Sequence, residues 1–471
     1  MSSGNPVKTR KLFGTDGIRG RAGRFPLDAP TVERLGEAVV EILPADTDAA
    51  RILIGRDTRE SGKVLESALC RGIIAGGGRP VLGGILPTPA VAHLTRTDSY
   101  SAGIMISASH NPFDDNGIKI FSGDGFKLTD AAELDIEYRL GKNTGNPVRS
   151  GLASIREAEE EMGNRYRDHL REVANSSVPY GDLRIALDCA NGASCRIAPE
   201  LFRSLGAEVH SMGVRPNGRN INESCGSVHP EQLTALTVRV AADLGVAFDG
   251  DADRAVVVDR KGRILDGDHI LFLSAISLKR RNLLKGNGVV STVMANQWLE
   301  QELSKEKISL HRTAVGDRYV LEGMVSRGCN LGGEPSGHLI YLDHSSTGDG
   351  ILTVLMLLEA VQELGWNLSE WLETVKKFPQ KIVNVPVVHK PSLREHPEIG
   401  KSIRREEERL GDSGRVLVRY SGTEPLARIM VEAEDPNVVD EVCRNLSSSL
   451  RQHLSASPPG KPRKESGKGE T

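Results

Sequence analysis

The sequence predicts an α/β protein of three similar α/β/α units, each built on a mixed sheet, followed by a smaller α+β domain. Nearly continuous apolar strands alternate with helices, which is typical of sheets covered on both faces. This pattern begins three times along the 471 residues, near Arg51, Leu183 and Gly288. After Trp371 the predicted strands carry alternating or apolar faces and are interpreted as antiparallel, so the last domain is of a different type.

The predicted elements follow one another in the order that such units require. In the first unit, residues 51–57 predict a buried strand, 61–78 a helix that ends in a glycine run, and 101–108 a second buried strand. Strands of the next two units are predicted at 183–188, 207–214, 244–249 and 288–293, with a helix near 194–205 and another opening at 315–321. The last domain is predicted from strands at 382–388, 415–420 and 427–432 and helices at 398–410 and 436–454.

The predicted domain boundaries lie between these elements. Residues 455–471 are rich in Pro, Gly, Ser, Lys and Glu and have too little apolar surface to order themselves, so we expect a disordered tail. The four domains are expected at residues 8–150, 151–262, 263–375 and 376–454.

Composition excludes several classes of protein. Lys and Arg total 60 against 63 Asp and Glu, so the net charge of −3 gives no basic field for nucleic acid or an anionic membrane. No stretch approaches the ~20 apolar residues of a membrane span, and the N-terminal segment lacks the apolar core of a signal peptide. The six cysteines form no Cys-x-x-Cys pair, which suits reduced thiols. We therefore expect a cytoplasmic protein.

An acidic turn provides the strongest chemical signal. Asp249, Asp251 and Asp253 stand at every second position of Asp-Gly-Asp-Ala-Asp-Arg, where small spacers let the chain wrap an ion. Carboxylate oxygens suit Mg²⁺ rather than zinc, and three like charges this close are costly without a cation. An EF-hand is excluded because Arg254 and Arg260 replace the glycine and glutamate that its loop requires.

A serine loop follows the predicted strand at 101–108. Ser107-Ala-Ser-His-Asn-Pro112 brings the Ser109 hydroxyl and the His110 imidazole to the carboxyl end of that strand, where α/β sheets bind ligands. An ordinary Ser/Asn/Pro turn is the alternative interpretation. The loop lacks the Gly-x-Ser-x-Gly pattern, so acyl-transfer hydrolysis is not favoured.

A glycine-rich segment at 332–338 combines three polar side chains. Glu334 and Ser336 can hydrogen-bond to sugar hydroxyls or an amine, and His338 titrates near neutral pH. A glycine-rich hairpin with polar decoration remains the alternative.

The last predicted domain contains a candidate anion site. Arg419-Tyr-Ser-Gly-Thr-Glu-Pro425, followed by Arg428, offers guanidinium groups, two hydroxyls and turn amides that match a phosphate. A polar turn beside a surface arginine is equally compatible with this segment.

Near the N-terminus, glycines at 14, 17 and 20 make a tight loop in which Arg19 can meet an anion. The segment is not a P-loop, because no Lys-Ser/Thr follows at the required spacing. Together the segments offer a hydroxyl nucleophile, a hard cation, a hydroxyl-binding loop and a phosphate nest. This combination favours phosphoryl transfer to and from a sugar phosphate.

The chain resembles the α-D-phosphohexomutase superfamily in five motifs that follow one another in the same order: FGTDGIRG, ISASHNP, DGDADR, GGEPSGH and RYSGTEP. The resemblance covers the whole chain except the tail. Residues 220–226, 314–320 and 346–350 are similar to the bacterial phosphoglucosamine mutase branch.

The resemblance implies three related α/β domains and a C-terminal domain around a central cleft. Ser109 matches the phosphoserine, and its phosphate would join Asp249, Asp251 and Asp253 as a ligand of one Mg²⁺. Arg19, His110, Lys119, Arg254 and His338 match the family's basic residues around the reacting phosphate. Among them, the resemblance makes Lys119 the candidate general base. The sugar-binding loop matches Glu334 and Ser336, and the phosphate-binding loop matches Arg419, Ser421, Gly422, Thr423 and Arg428.

The implied reaction interconverts glucosamine 6-phosphate and glucosamine 1-phosphate through a 1,6-bisphosphate, which would also serve as activator. Such an enzyme supplies UDP-N-acetylglucosamine and cell-wall precursors. A phosphomannomutase or phosphoglucomutase on the same scaffold, a sugar-phosphate hydrolase and a non-enzymatic sugar-phosphate sensor remain alternatives. The expected partner is a small sugar phosphate; a homodimer is compatible with the sequence, and neither nucleic acid nor membrane is expected.

Overall fold

The computed structural model describes residues 10–44, 49–142, 155–175, 177–421 and 425–454. The chain divides into two compact units. Among the described residues, the larger unit runs to Ala295 and resumes over Leu303–Thr374, and the smaller comprises Asn296–Glu302 and the chain from Val375 to Leu454. The predicted disordered tail at 455–471 lies outside the described residues.

The first part of the larger unit contains a sheet and its covering helices. Its strands are β1 (Phe13–Gly14), β2 (Gly17–Arg21), β3 (Arg51–Arg56), β4 (Arg79–Ile85), β5 (Ala102–Ile106), β6 (Asp115–Ser122) and β7 (Arg156–Glu157). Its helices are α1 (Ala29–Ile42), α2 (Gly62–Ala75), α3 (Thr88–Thr97), α4 (Asp130–Gly141) and α5 (Glu159–Val173).

These strands form one mixed sheet in the order β1-β2-β6-β5-β3-β4-β7. Strand β3 pairs in parallel with β4 and β5, whereas β6 runs antiparallel to β5 and β2. The side chains of β5 are buried along its whole length, as expected for a strand covered on both faces. The carboxyl end of β5 leads directly into the Ser109 loop, and β6 carries Lys119.

The second sheet carries the acidic turn. Its strands are β8 (Arg184–Asp188), β9 (Glu208–Met212), β10 (Leu244–Phe248), β11 (Ala255–Asp259) and β12 (Ile264–Leu265), with helices α6 (Ile197–Ser204) and α7 (Glu231–Arg239). The strand order is β12-β11-β10-β8-β9. Antiparallel pairing of Phe248 with Ala255 makes residues 249–254 the turn of a hairpin between two buried strands.

The third sheet carries the predicted sugar loop. Its strands are β13 (Gly288–Thr292), β14 (Ser309–Thr313), β15 (Leu331–Gly333) and β16 (Leu339–Tyr341), in the order β14-β13-β15-β16. The helices of this region are α8 (Gly267–Arg280), α9 (Gln297–Lys305), α10 (Asp317–Arg327), α11 (Gly350–Leu364) and α12 (Leu368–Thr374). Gly333 pairs with Leu339, so residues 334–338 turn back between β15 and β16.

The smaller unit is built on an antiparallel sheet. Its strands are β17 (Gln380–Pro386), β18 (Gly414–Tyr420) and β19 (Leu426–Ala433), in the order β17-β19-β18, with helices α13 (Pro397–Leu410) and α14 (Pro436–Leu454). A short 3₁₀ turn at Gly411–Ser413 joins α13 to β18, and the larger unit has two more, at Tyr180–Asp182 and Lys285–Asn287.

The observed architecture confirms the predicted fold class, three α/β units followed by a smaller α+β domain. The predicted helix at 61–78 ends earlier, at Ala75, because Gly77, with φ = 86°, leaves the helical path just after the capping residue Gly76. The domain boundaries remain predictions; β7, at Arg156–Glu157, still belongs to the first sheet, where it pairs with β4.

None of the described helices is by itself long and apolar enough to cross a membrane. The helices α11 and α12 reach that length and composition only as a pair, which is bent by 83°.

Helices α1 and α2 pack with their backbones in close contact. A Cβ added at Gly72 would lie 1.8 Å from the carbonyl oxygen of Glu33, and one at Gly36 would lie 2.6 Å from that of Leu69. Backbone atoms cannot move aside as a flexible side chain can, so glycine at these positions sets the distance between the two helices.

We expect Gly72→Ala to lower the free energy of unfolding by about 1–3 kcal/mol, because the helices must separate to admit the methyl group. Gly163→Ala in α5 is the matched control, since its methyl group would meet only the end of the flexible Arg196 side chain. There the change should be a gain of up to about 1 kcal/mol. Urea denaturation of both variants tests this packing, and equal effects would contradict it.

Candidate active site

The hydroxyl of Ser109 contacts the acidic turn. Its Oγ donates a hydrogen bond to Oδ2 of Asp249 at 2.6 Å, although 140 residues separate them in sequence. Ser109 and Asp249 are both buried. The nucleophile predicted in the first unit therefore lies directly against the metal turn predicted in the second.

The Ser109 loop is held by a buried ion pair. Ser109 has φ = 55°, a left-handed conformation that is unusual for a residue with a side chain. The Arg59 guanidinium donates to the carbonyl oxygens of Ser109 at 3.0 Å and Asn111 at 2.9 Å. Asp57 pairs with Nε of Arg59 at 2.9 Å and accepts a hydrogen bond from the Ser107 hydroxyl at 2.7 Å. These contacts compensate for the backbone strain.

A second donor reaches the same carbonyls from the other side. Nδ2 of Asn222 donates to the carbonyl oxygens of Ser109 at 2.9 Å and Asn111 at 3.0 Å. A Cβ at Gly250 would lie 2.6 Å from the Ser109 carbonyl oxygen, so the glycine spacer of the acidic turn permits this approach. The spacer thus serves the contact between the two loops as well as the turn itself.

The three carboxylates of the acidic turn form a candidate metal centre. Asp249, Asp251 and Asp253 are buried, and one oxygen from each lies within 4.8 Å of the others. Burial, together with the Asp253 and Asp251 charges, raises the pKa of Asp249 well above its ordinary value. Oδ1 of Asp251 is buried and accepts no hydrogen bond from the described residues. A hard cation would satisfy this oxygen and the repulsion together, so the donor set fits Mg²⁺.

Lys119 partly neutralises the triad from β6. Its Nζ lies 2.9 Å from Oδ2 of Asp251, 2.9 Å from Oδ2 of Asp253 and 3.1 Å from Oδ2 of Asp16. Burial opposes the charge of Lys119, but the three carboxylates raise its pKa well above the ordinary value. In this arrangement the side chain is an ammonium ion. Thr88 completes the surroundings of Asp251, donating from its hydroxyl at 2.5 Å.

The two histidines lie in different electrostatic surroundings. Burial, followed by the neighbouring Arg254, lowers the pKa of His110 to about 4, and its Nδ1 lies 3.3 Å from both Ser109 Oγ and Arg254 Nη1. Burial also opposes the charge of His338, but Asp253, 3.6 Å from Nδ1, outweighs it and raises the pKa of His338. His110 is therefore neutral near pH 7.

His338 is further oriented by a glycine. The backbone N–H of Gly348 donates to Nε2 of His338 at 3.1 Å, and a Cβ at this glycine would lie only 2.4 Å from the ring. Asp317 lies 3.6 Å from the same Nε2.

A cavity of about 410 Å³ opens beside the triad. Its walls come from the β1–β2 hairpin, the acidic turn, the segment before α10 and the β15–β16 turn. A cavity of this volume is large enough for a small polar ligand. Glu334 faces it and accepts a hydrogen bond from the Gly316 N–H at 3.2 Å. Ser336 is exposed at the tip of its turn and is not among the described residues that line the cavity. The predicted residues that do line it are Arg19, Asp253, Arg254, Glu334 and His338.

Backbone hydrogen bonds join the turn that carries Glu334 and His338 to the acidic hairpin. The N–H of Ala255 donates to the Gly337 carbonyl at 3.1 Å, and the N–H of Gly267 donates to the Pro335 carbonyl at 3.0 Å. Gly337 has φ = 89°, and a Cβ there would lie 2.1 Å from the Ala255 carbonyl oxygen. The backbone of this turn is thereby fixed.

The predicted phosphate loop belongs to the smaller unit. Arg419 on β18 is directly opposite Arg428 on β19. Burial and the Arg428 charge both lower the pKa of Arg419, so an anion at this pair would relieve unfavourable electrostatics. The Ser421 N–H donates a hydrogen bond to the Leu426 carbonyl oxygen at 2.8 Å. Gly422 and Thr423 lie outside the described residues.

Several residues at the site were not singled out by the sequence. Asp16, Asn222 and Asp317 lie inside segments that the sequence analysis quotes, so those segments were the available signal. Thr88 and Lys127 carry no local pattern of their own, since their partners lie more than 100 residues away.

Four domain families match the chain in order. They are described as phosphoglucomutase/phosphomannomutase alpha/beta/alpha domains I, II and III and C-terminal domain, and they match residues 10–146, 164–262, 266–378 and 382–448.

Solved structures share the fold over nearly the whole chain. A putative phosphomannomutase from Thermus thermophilus superposes with a TM-score of 0.74 at 23% identity, covering 94% of this chain and 99% of the other. An Aspergillus fumigatus N-acetylphosphoglucosamine mutase, solved with GlcNAc-6P and magnesium, has a TM-score of 0.64 at 18% identity, covering 95% and 96% of the two chains.

Curated sequences are much more similar. A phosphoglucosamine mutase from Solibacter usitatus is 47% identical over 445 residues, which is 94% of this chain and 99% of that protein. One from Thermus thermophilus is 46% identical over 442 residues, covering 94% and 98%. With these relatives and four domain families matched in order, the chain belongs to the phosphoglucosamine mutase family of the phosphohexomutase superfamily.

Proposed function

We propose that the protein interconverts glucosamine 6-phosphate and glucosamine 1-phosphate through a phosphorylated Ser109. The observation that carries this proposal is the 2.6 Å contact between Ser109 Oγ and Asp249 of the buried acidic triad. A nucleophilic oxygen beside a site for a hard cation is what phosphoryl transfer requires. Relatives named phosphoglucosamine mutase support the choice of sugar, and the product would feed UDP-N-acetylglucosamine and cell-wall precursor synthesis. A phosphomannomutase or phosphoglucomutase activity is the second candidate.

The reaction consists of two transfers. In the first, the bond between phosphorus and Ser109 Oγ breaks and a bond to the sugar O1 forms; the O1 hydroxyl loses a proton and Oγ gains one. The 1,6-bisphosphate then reorients. In the second, the 6-phosphate returns to Oγ, which loses its proton, while O6 gains one. The bisphosphate also primes unphosphorylated protein, which explains why it would act as activator.

Asp249, Asp251 and Asp253, with an oxygen of the phosphorylated Ser109, would hold one Mg²⁺. When bound, this ion would neutralise negative charge on the transferring phosphoryl group. Arg254 and Arg19 add fixed positive charge on the same side of the cavity.

Proton transfer involves the basic residues near Ser109. Neutral His110 lies 3.3 Å from Oγ and can exchange a proton with it. The resemblance gives Lys119 the role of general base, whereas its three carboxylate partners favour a role as a neutralising cation. His338 belongs to the same set, facing Asp253.

Substrate contacts complete the proposal. Glu334 and Ser336 would bind sugar hydroxyls or the amine, and the phosphate that is not reacting would bind at Arg419, Ser421, Gly422, Thr423 and Arg428. A cytoplasmic location, a homodimer and the absence of nucleic-acid or membrane partners are parts of this proposal that rest on the sequence alone.

The substrate is tested by comparing kcat/KM for glucosamine 6-phosphate with that for mannose 6-phosphate and glucose 6-phosphate, with Mg²⁺ and a 1,6-bisphosphate present. We expect glucosamine 6-phosphate to be preferred by at least about tenfold, a discrimination of about 1.4 kcal/mol. Preference for mannose or glucose phosphates would favour the second candidate. Stoichiometric release of inorganic phosphate without need of a bisphosphate would indicate a hydrolase.

Ser109→Ala should lower kcat by at least about 10³-fold, because removal of a covalent nucleophile leaves only binding and electrostatic contributions. Intact-mass measurement should find phosphate on the wild-type protein after incubation with glucosamine 1,6-bisphosphate and none on the variant. Ser67→Ala, which changes an exposed serine of α2, is the matched control. Activity of Ser109→Ala near the wild-type value would refute the covalent role.

Asp251→Asn should raise the Mg²⁺ concentration for half-maximal activity by at least about tenfold. Removing a residue that only orients a metal ligand typically lowers metal affinity by about that much, so loss of a ligand itself should cost no less. Asp440→Asn is the control, since Asp440 pairs with Lys381 on the exposed surface. Isothermal titration of Mg²⁺ provides a readout independent of turnover. Identical titrations of the two variants would count against the metal centre.

A further inference from the structure

We propose that Lys127 is a positioning residue for this reaction, an inference that rests on the proposed function. Lys127 completes a closed ring of buried and partly buried ionisable groups around the candidate active site. Each neighbouring pair in the ring has a nitrogen and an oxygen atom in ion-pair contact. The six members, in order, are Asp16, Lys127, Asp317, His338, Asp253 and Lys119.

Lys127 joins two carboxylates that would otherwise repel each other. Its Nζ donates to Oδ1 of Asp16 at 2.5 Å and to Oδ2 of Asp317. The Lys127 side chain is only 11% exposed, and those of Asp16 and Asp317 are 19% and 13% exposed. Because water reaches these groups poorly, the electrostatic attraction between Lys127 and each carboxylate is stronger than in an ion pair on the surface.

Each of these carboxylates also faces a candidate catalytic residue. Oδ2 of Asp16 lies 3.1 Å from Nζ of Lys119, and Oδ2 of Asp317 lies 3.6 Å from Nε2 of His338. Lys119 and His338 in turn contact the metal turn through Asp253. Lys127 is thus one contact removed from both Lys119 and His338, through a different carboxylate in each case.

Removing the Lys127 charge would leave both Asp16 and Asp317 with less positive charge nearby. Asp16 and Asp317 would then have to draw their compensation from Lys119 and His338, pulling these groups away from Asp253. The 3.6 Å separations at His338 are longer than hydrogen bonds, so this ring position shifts readily. Displacements of about 1 Å in a catalytic group can cost about 10²-fold in rate.

The location of Lys127 separates positioning from substrate binding. Asp317 and His338 line the 410 Å³ cavity, but Lys127 is not among its described lining residues. Its loss should therefore affect kcat and leave KM nearly unchanged. Lys127 lies between β6 and α4, whereas its two partners lie in the β1–β2 turn and at the start of α10, so no local motif indicates the contact.

The test compares Lys127→Met and Lys127→Arg with the wild-type protein. Steady-state kinetics with glucosamine 6-phosphate, Mg²⁺ and glucosamine 1,6-bisphosphate give kcat and KM, and thermal unfolding gives Tm. Lys127→Met should lower kcat by about 10–100-fold, the range for partners that orient a site from outside it, with KM within about threefold. Lys127→Arg keeps the charge and should recover most of kcat.

Lys285→Met is the matched control. Lys285 makes a 2.5 Å ion pair with Asp343 on the exposed surface of the same unit, so its loss should leave kcat and KM unchanged. If Lys127→Met fails to fold, Lys127→Gln, which keeps hydrogen-bond donors without the charge, enters the same comparison.

A kcat within about threefold of wild type for folded Lys127→Met or Lys127→Gln would overturn the inference. So would a loss confined to KM, or a loss that Lys127→Arg does not recover. These outcomes leave the proposed function intact, because the wild-type protein still turns over. A wild-type protein that converts none of the sugar phosphates would overturn the proposed function and this inference together.

Discussion

Three carboxylates crowded into one buried turn are the constraint on which the rest of the site depends. Asp249, Asp251 and Asp253 lie within 4.8 Å of one another, away from water. Such a group is unstable without nearby positive charge. Lys119 provides it from β6, in another sheet, and His338 in the β15–β16 turn lies 3.6 Å from Asp253. The need to compensate this turn therefore explains why three sheets converge on it.

The same constraint accounts for the strained serine loop. Ser109 can donate to Asp249 only because its backbone adopts a left-handed conformation. Arg59 and Asn222 stabilise that conformation by binding the loop carbonyls from two directions. Both donors are buried, so the loop is held before any ligand arrives. Little reorganisation is then needed at the moment of phosphoryl transfer, which is how preorganised sites lower a barrier.

Local patterns in the sequence were enough to predict the fold class and the residues of the metal turn. Apolar runs such as 102–106 identify buried strands, and the spacing of three aspartates has few other interpretations. The roles of the predicted site residues remain predictions. Lys127 could not be found in this way, because its meaning depends on Asp317, 190 residues later. Gly422 and Thr423 lie outside the described residues.

The way the 334–338 turn is attached limits how this family can diversify. The carbonyls of Pro335 and Gly337 are bonded to neighbouring segments, and Gly337 has no space for a side chain. The side chains at 334, 335 and 336 are all at least partly exposed, but Glu334 accepts a hydrogen bond from the Gly316 N–H, so those at 335 and 336 can vary most easily without moving the backbone. A new sugar preference would therefore arise most easily by substitution at these two adjacent positions. Insertions or deletions in the turn would displace His338 and disturb the cation site as well as the substrate site.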